Sequence, residues 1–128
     1  MRLLTVVMMG VGVLAVMPLT EASATPTCIQ NIDFRGQEVP ASFGDSVTCL
    51  LRTGNDNTGV VALQDALRFC SGHNIKVDGD FGSKTRAALV RVQRRIGVAA
   101  DGEYGPITLS HMRFVSAGDI FPGCRPVG

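Results

Sequence analysis

The pentad Asp78-Gly79-Asp80-Phe81-Gly82 returns as Asp101-Gly102-Glu103-Tyr104-Gly105, a step of 101 minus 78, or 23 residues. The same step carries Thr85 to Thr108 and Leu89 to Met112, and one step back sets Asn55 on Asp78, Gly59 on Gly82 and Ala66 on Leu89. A period of this length marks a supersecondary unit that buries its apolar face only by stacking on its neighbours. The unit reads as a tight loop followed by a helix. Glycine supplies dihedrals that other residues avoid, and aspartate accepts from backbone N–H groups within a tight loop. Asp78, Gly79, Gly82, Asp101, Gly102 and Gly105 are therefore expected as turn residues, with Phe81 and Tyr104 plugging the junctions between units.

Apolar spacing then places the helices. Val60, Leu63, Leu67 and Cys70 form one stripe, which predicts a helix over 60–70. A second is predicted over 83–96, with Thr85, Ala88, Leu89, Val92 and Ile96 inward and Gly97 as its left-handed cap. A third opens at Pro106, whose fixed φ suits the first helical position, and is expected to end before Gly118. Ahead of them, Ile32 and Phe34 alternate with Asp33 and Arg35, and Val47, Cys49 and Leu51 share a period of two; an extended or short β arm is expected there. The fold class is mainly α: a small three-helix bundle with an N-terminal extended arm. The divisions read are a signal segment over 1–24, the arm over 25–54, the helical domain over 55–117 and a tail over 118–128.

The signal reading rests on Arg2 as the one charge ahead of an apolar run from Leu3 to Met17, closed by Ala22-Ser23-Ala24. That run is shorter than the roughly 20 residues a spanning helix requires, so a secreted chain without a membrane anchor is expected after cleavage. Cleavage leaves 128 minus 24, or 104 residues, and turns 12 basic and 11 acidic side chains into 11 and 10. A balance of +1 gives no reason to expect nucleic acid as a partner. Cys28, Cys49, Cys70 and Cys124 form an even set in an exported chain, which reads as two disulfides. Strands running out along 29–34 and back along 47–51 would pair Cys28 with Cys49 and leave Cys70 to Cys124; Cys49–Cys70 with Cys28–Cys124 stays open as the rival. Zinc is not expected, because the cysteines are dispersed and neither His73 nor His111 has a partner at ligand spacing.

The strings VALQDAL (61–67), VDGDFGSKTRAALVRVQRRIGV (77–98) and ADGEYGPIT (100–108) together resemble the peptidoglycan-binding-like domain. The likeness runs over about residues 49–113, with Gln64, Gln93, Gly97 and Pro106-Ile107-Thr108 in the family's order. Val92 departs from it where the family often has an aromatic, as does Cys70-Ser71-Gly72-His73 after the first helix. The resemblance implies a three-helix module that attaches to cell-wall peptidoglycan and carries no catalytic residue, here in a secreted, stand-alone form.

Other constellations carry less. Gly44-Asp45-Ser46 is similar to the nucleophile block of lipase-like hydrolases, but neither histidine follows an aspartate at the required spacing, so Ser46 reads as a turn residue. Asp78-x-Asp80 lacks the further ligands of a calcium loop. The four carboxylates of the two loops offer no evident cleft for a glycosidase pair. Lys84, Arg86, Arg91, Arg94 and Arg95 make the second helix basic, which serves solvation or contact with an anionic polymer. Helix N-termini attract carboxylates, and on that ground Ser83 and Lys84, flanked by Asp80 and Tyr104, are expected to line the ligand surface. No enzyme activity, cofactor or metal is expected. The alternative function is a secreted interaction or inhibitory protein that uses the same scaffold to bind a partner such as a cell-wall hydrolase.

Overall fold

The computed structural model describes residues 24–128; the predicted signal segment lies outside them apart from Ala24. The arm is a hairpin. Strand β1 (Gln30–Phe34) runs antiparallel to β2 (Gln37–Ala41), with Ile32 opposite Val39. Arg35 and Gly36 both take positive φ, 57° and 84°, as the favoured two-residue hairpin turn requires, and the Asp33 carboxylate accepts from the Gly36 N–H at 2.9 Å. This local closure corrects one expectation: β1 pairs with 37–41 rather than with 47–51. The 47–51 stretch instead makes a parallel bridge, Leu50 to Thr27, and an antiparallel one, Leu51 to Tyr104. Reciprocal backbone bonds from Cys28 N–H to Leu50 O and from Leu50 N–H to Pro26 O, 2.8 and 2.9 Å, bring Cys28 beside Cys49. Their Cα atoms lie 5.0 Å apart in a disulfide.

Helix α1 (Thr58–Asp65) begins where the Asn57 side chain accepts from the Val60 N–H, the ordinary N-cap bond. It runs on as one π turn, Ala66–Cys70, in which the Ser71 N–H reaches back to Ala66 O. Ala66 and Leu67 stay buried there while Phe69 faces solvent. Helix α2 (Ser83–Ile96) buries Thr85, Ala88, Leu89, Val92 and Gln93 and ends on Gly97 at φ 80°. The Val98 N–H then folds back to Gln93 O, closing the helix end.

Helix α3 (Pro106–His111) is shorter than the sequence pattern predicts. Met112 is extended, and β3 (Arg113–Val115) pairs antiparallel with β4 (Cys124–Pro126). The extended course buries Phe114 completely, edge-on to Tyr104 with ring centroids 6.3 Å apart. A buried aromatic of this size contributes more than two further turns of helix at the surface would. The tail is thereby a paired strand, tied to the π turn by Cys70–Cys124 with Cα atoms 5.5 Å apart. Leu51, Leu63, Leu67, Leu89, Tyr104, Met112 and Phe114 meet in one core.

Candidate functional site

The two repeated loops are organised by two buried glutamines. Gln64, 1% exposed, accepts through Oε1 from the Asp78 and Gly79 N–H groups at 3.0 and 2.9 Å. Its Nε2 lies 3.1 Å from Asp78 Oδ1, 2.9 Å from Asp80 O and 3.0 Å from Thr85 Oγ1. Gln93 repeats the pattern in the next unit: Oε1 accepts from Gly102 N–H, and Nε2 reaches Asp101 Oδ1, Glu103 O and Thr108 Oγ1. In each loop the first aspartate also accepts from the backbone N–H two residues on, Asp80 or Glu103, at 2.9 Å. One amide side chain therefore satisfies a whole loop and fixes it onto the helix that follows. No role for Gln64 or Gln93 follows from residue type alone; the signal for them was their place in the family order.

Within each pentad the glycines divide. Gly79 and Gly102 sit at φ 82° and 72°, and a Cβ on Gly102 would lie 2.8 Å from the Arg86 side chain. Gly82 and Gly105 are extended N-caps, with φ −102° and −154°. A Cβ at Gly82 would meet nothing within 4 Å and its φ is negative, so the special dihedral expected of the pentad glycines is found at Gly79 and Gly102 and not at Gly82. Arg86, read as part of a basic face, also donates to Asp101 O and is held as a strut between the units.

Asp80, Ser83 and Lys84 come together, with Asp78, in a groove of about 320 Å³ at the start of α2. Lys76, which the sequence pattern did not single out, supplies its second cation. Bonds from the Asp80 N–H and Gln64 hold the Asp78 carboxyl below the usual range, whereas the neighbouring Asp56 carboxylate, then burial and Asp78, push Asp80 upward. Neither α2 nor α3 has a side-chain cap at its N-terminus, in contrast to α1.

Tyr104 does not join this groove. It is 0% exposed, its hydroxyl has no hydrogen-bond partner, and its backbone exchanges bonds with Leu51. The repeat placed it in this loop, and its ring fills the junction between units as expected, which removes it from the ligand surface. Burial raises its pKa far above the ordinary tyrosine value of 10.0. The folded state therefore keeps the proton that the unfolded chain releases, and stability is expected to fall by about 1.4 kcal/mol per pH unit above about pH 10. Tyr104→Phe should flatten that alkaline fall and leave stability at neutral pH level or higher, because the hydroxyl is stranded without a partner. Urea midpoints across the alkaline range check this, and an unchanged slope in the variant would contradict it.

A second groove of about 410 Å³ opens where α2 ends and α3 begins. It is the same site one repeat later. Asp101, Glu103, Gly105 and Thr108 line it as Asp78, Asp80, Gly82 and Thr85 line the first. Among the described residues, no group of three or more His, Cys, Asp or Glu is placed to hold a metal ion, and no helix is long and apolar enough to cross a membrane. Ser46 lies just past a short turn (Phe43–Asp45), where its hydroxyl accepts from the Thr48 N–H.

Disulfides, repeated loop and helix units, and paired open grooves define a small helical recognition module. Residues 56–112 match the model of the putative peptidoglycan binding domain and form a peptidoglycan-binding-like domain. Two curated relatives are enzymes. The N-acetylmuramoyl-L-alanine amidase CwlM of Mycobacterium tuberculosis is 43% identical over 58 residues, covering 45% of this chain and 14% of the amidase. The zinc D-Ala-D-Ala carboxypeptidase of Streptomyces albus G is 32% identical over 123 residues, covering 94% of this chain and 47% of the carboxypeptidase. The chain thus spans less than half the length of either relative. Among solved structures, a peptidoglycan-binding protein from Clostridioides difficile in complex with glutamine hydroxamate is 36% identical, covering 58% of this chain and 48% of that one at a TM-score of 0.49.

Proposed function

We propose that this chain is a secreted, non-catalytic module that binds bacterial cell-wall peptidoglycan through residues 55–117, with the disulfide-closed arm over 25–54 and the tail over 118–128 bracing that domain. The match of residues 56–112 to the family model carries the reading, and the loop geometry supports it. The glutamine-fixed loops hold two grooves open at the surface without closing around a reacting centre. The activities of the enzyme relatives belong to chains more than twice as long as the match and are not transferred.

In the first groove, Lys76 and Lys84 face the solvent beside Ser83 and Asp80. A peptide stem presents carboxylates, and two ammonium groups at an uncapped helix start suit one. Lys84→Glu is expected to weaken sedimentation with purified peptidoglycan by about tenfold at low salt, with the difference shrinking as salt screens exposed charges. Equal binding by parent and variant at low salt would place the ligand elsewhere. A role in binding a cell-wall enzyme uses the same scaffold; it would appear as retention of the chain by that enzyme with no sedimentation on the wall polymer.

A further inference from the structure

The two grooves share a frame but not a chemistry. At the 23-residue step, Lys76 becomes Ala99, Ser83 becomes Pro106 and Lys84 becomes Ile107, while both rim carboxylates persist as Asp101 and Glu103. The second groove therefore has no lysine or arginine among its lining residues. Leu50 and Val98 join Ile107, which is 69% exposed, to make its wall apolar. Of Asp101, Oδ1 is already occupied by the Gln93 amide and the Glu103 N–H, which leaves its other oxygen and the Glu103 carboxylate as acceptors only. His111 is the one basic side chain in the lining, and its Nδ1 is already engaged with Ile107 O and Ser110 Oγ. Such a groove offers acceptors to N–H or O–H donors at its rim and gains by covering methyl-sized apolar groups.

We infer that the second groove takes an uncharged, methyl-bearing amide, with the methyl against Ile107, Val98 and Leu50 and the amide N–H donating to Glu103 or Asp101. This inference rests on the wall-binding reading, since peptidoglycan offers that chemistry twice: in the acetamido group of its sugars and in the alanine residues of its stem peptides. The two grooves then read different parts of one polymer, the first its charged groups and the second its neutral ones.

The test uses the chain with both disulfides intact and follows backbone amide resonances by NMR during titration with two neutral probes. One is the tetrasaccharide of N-acetylglucosamine and the other is formyl-D-alanyl-D-alanine amide; cellotetraose, which lacks the acetamido group, is the control. At least one probe is expected to shift Val98, Ala99 and Ile107, to bind equally at low and high salt, and to identify by its own structure which source is recognised. Ile107→Glu and, as a second surface variant, Ala99→Glu should each weaken that probe by about tenfold, while Lys84→Glu leaves it within about twofold. Absence of shifts at these residues with both probes, or probe binding untouched by both glutamate variants, overturns the inference. Sedimentation of the parent with wall polymer decides the broader reading separately, so the two fail by different results.

Discussion

Replacing Gln64 with leucine should lower the free energy of unfolding by about 3–5 kcal/mol, because the side chain is lost from five hydrogen-bond contacts at once. Leucine has similar bulk, so the effect is not one of volume. What it strands is the buried Gly79 N–H and the Thr85 hydroxyl, each bonded to Gln64 in the parent. Groups left buried without partners cost about 1–3 kcal/mol each. The Asp78 carboxylate also loses a donor that now holds its pKa down, so the variant should be less responsive to acid between the unfolded and folded values of that group. The sign follows from linkage: a depressed carboxyl stabilises above the unfolded pKa and loses that contribution as pH falls through the folded one. Gln93→Leu should cost nearly as much, since its Oε1 and Nε2 serve the next loop. Urea unfolding at neutral pH measures both. A Gln64→Leu midpoint corresponding to less than about 0.5 kcal/mol would contradict the assignment of the loop to this residue.

Removing the Cys70–Cys124 bridge by the double serine variant is expected to cost about 4 kcal/mol, against about 3 kcal/mol for Cys28–Cys49, from the loop lengths set by sequence separations of 54 and 21. The longer bridge does more than shorten the unfolded chain. It seats β4 against β3 and the π turn, and beside it Val127 is buried and its carbonyl accepts from Arg35 at 3.2 Å. Its loss should therefore release the tail first, seen as rapid amide exchange over 113–127 before global unfolding. Proteolysis without reduction should yield peptides joining Cys28 to Cys49 and Cys70 to Cys124. A gap between the two double-serine variants no larger than the difference of about 1 kcal/mol set by loop length would show that the tail contributes nothing beyond its covalent tie.

Much of this was legible in the chain because the repeat constrains both loop and helix. The 83–96 helix came through with its bounds and its inward face, since a clean apolar stripe ends on a glycine cap. The arm and the third helix were less legible. Arg35-Gly36 is a turn whose first residue is a cation with positive φ, and nothing in its type announces that. Beyond His111, helix and strand were separated by a tertiary term, the burial of Phe114 on Tyr104 opposite a strand anchored 54 residues away by a disulfide. The site shows the same division. Asp80, Ser83 and Lys84 were placed together by their local spacing, whereas Tyr104 carried two expectations, a junction plug and a flank of the ligand surface, and its complete burial agrees with the first and not the second. The second groove was hidden for a related reason: its counterparts to the lysines are Ala99 and Ile107, residues that read as ordinary apolar positions until the fold sets them on a rim.

The most direct measurement incubates the purified chain, from residue 25 onward, with insoluble labelled peptidoglycan and centrifuges it. The chain should leave the supernatant saturably and return to it when soluble wall fragments compete, and label in the supernatant should match that of a heat-killed control. A chain that stays in solution, or one that releases labelled fragments above that control, would contradict the account of a binding module without chemistry of its own.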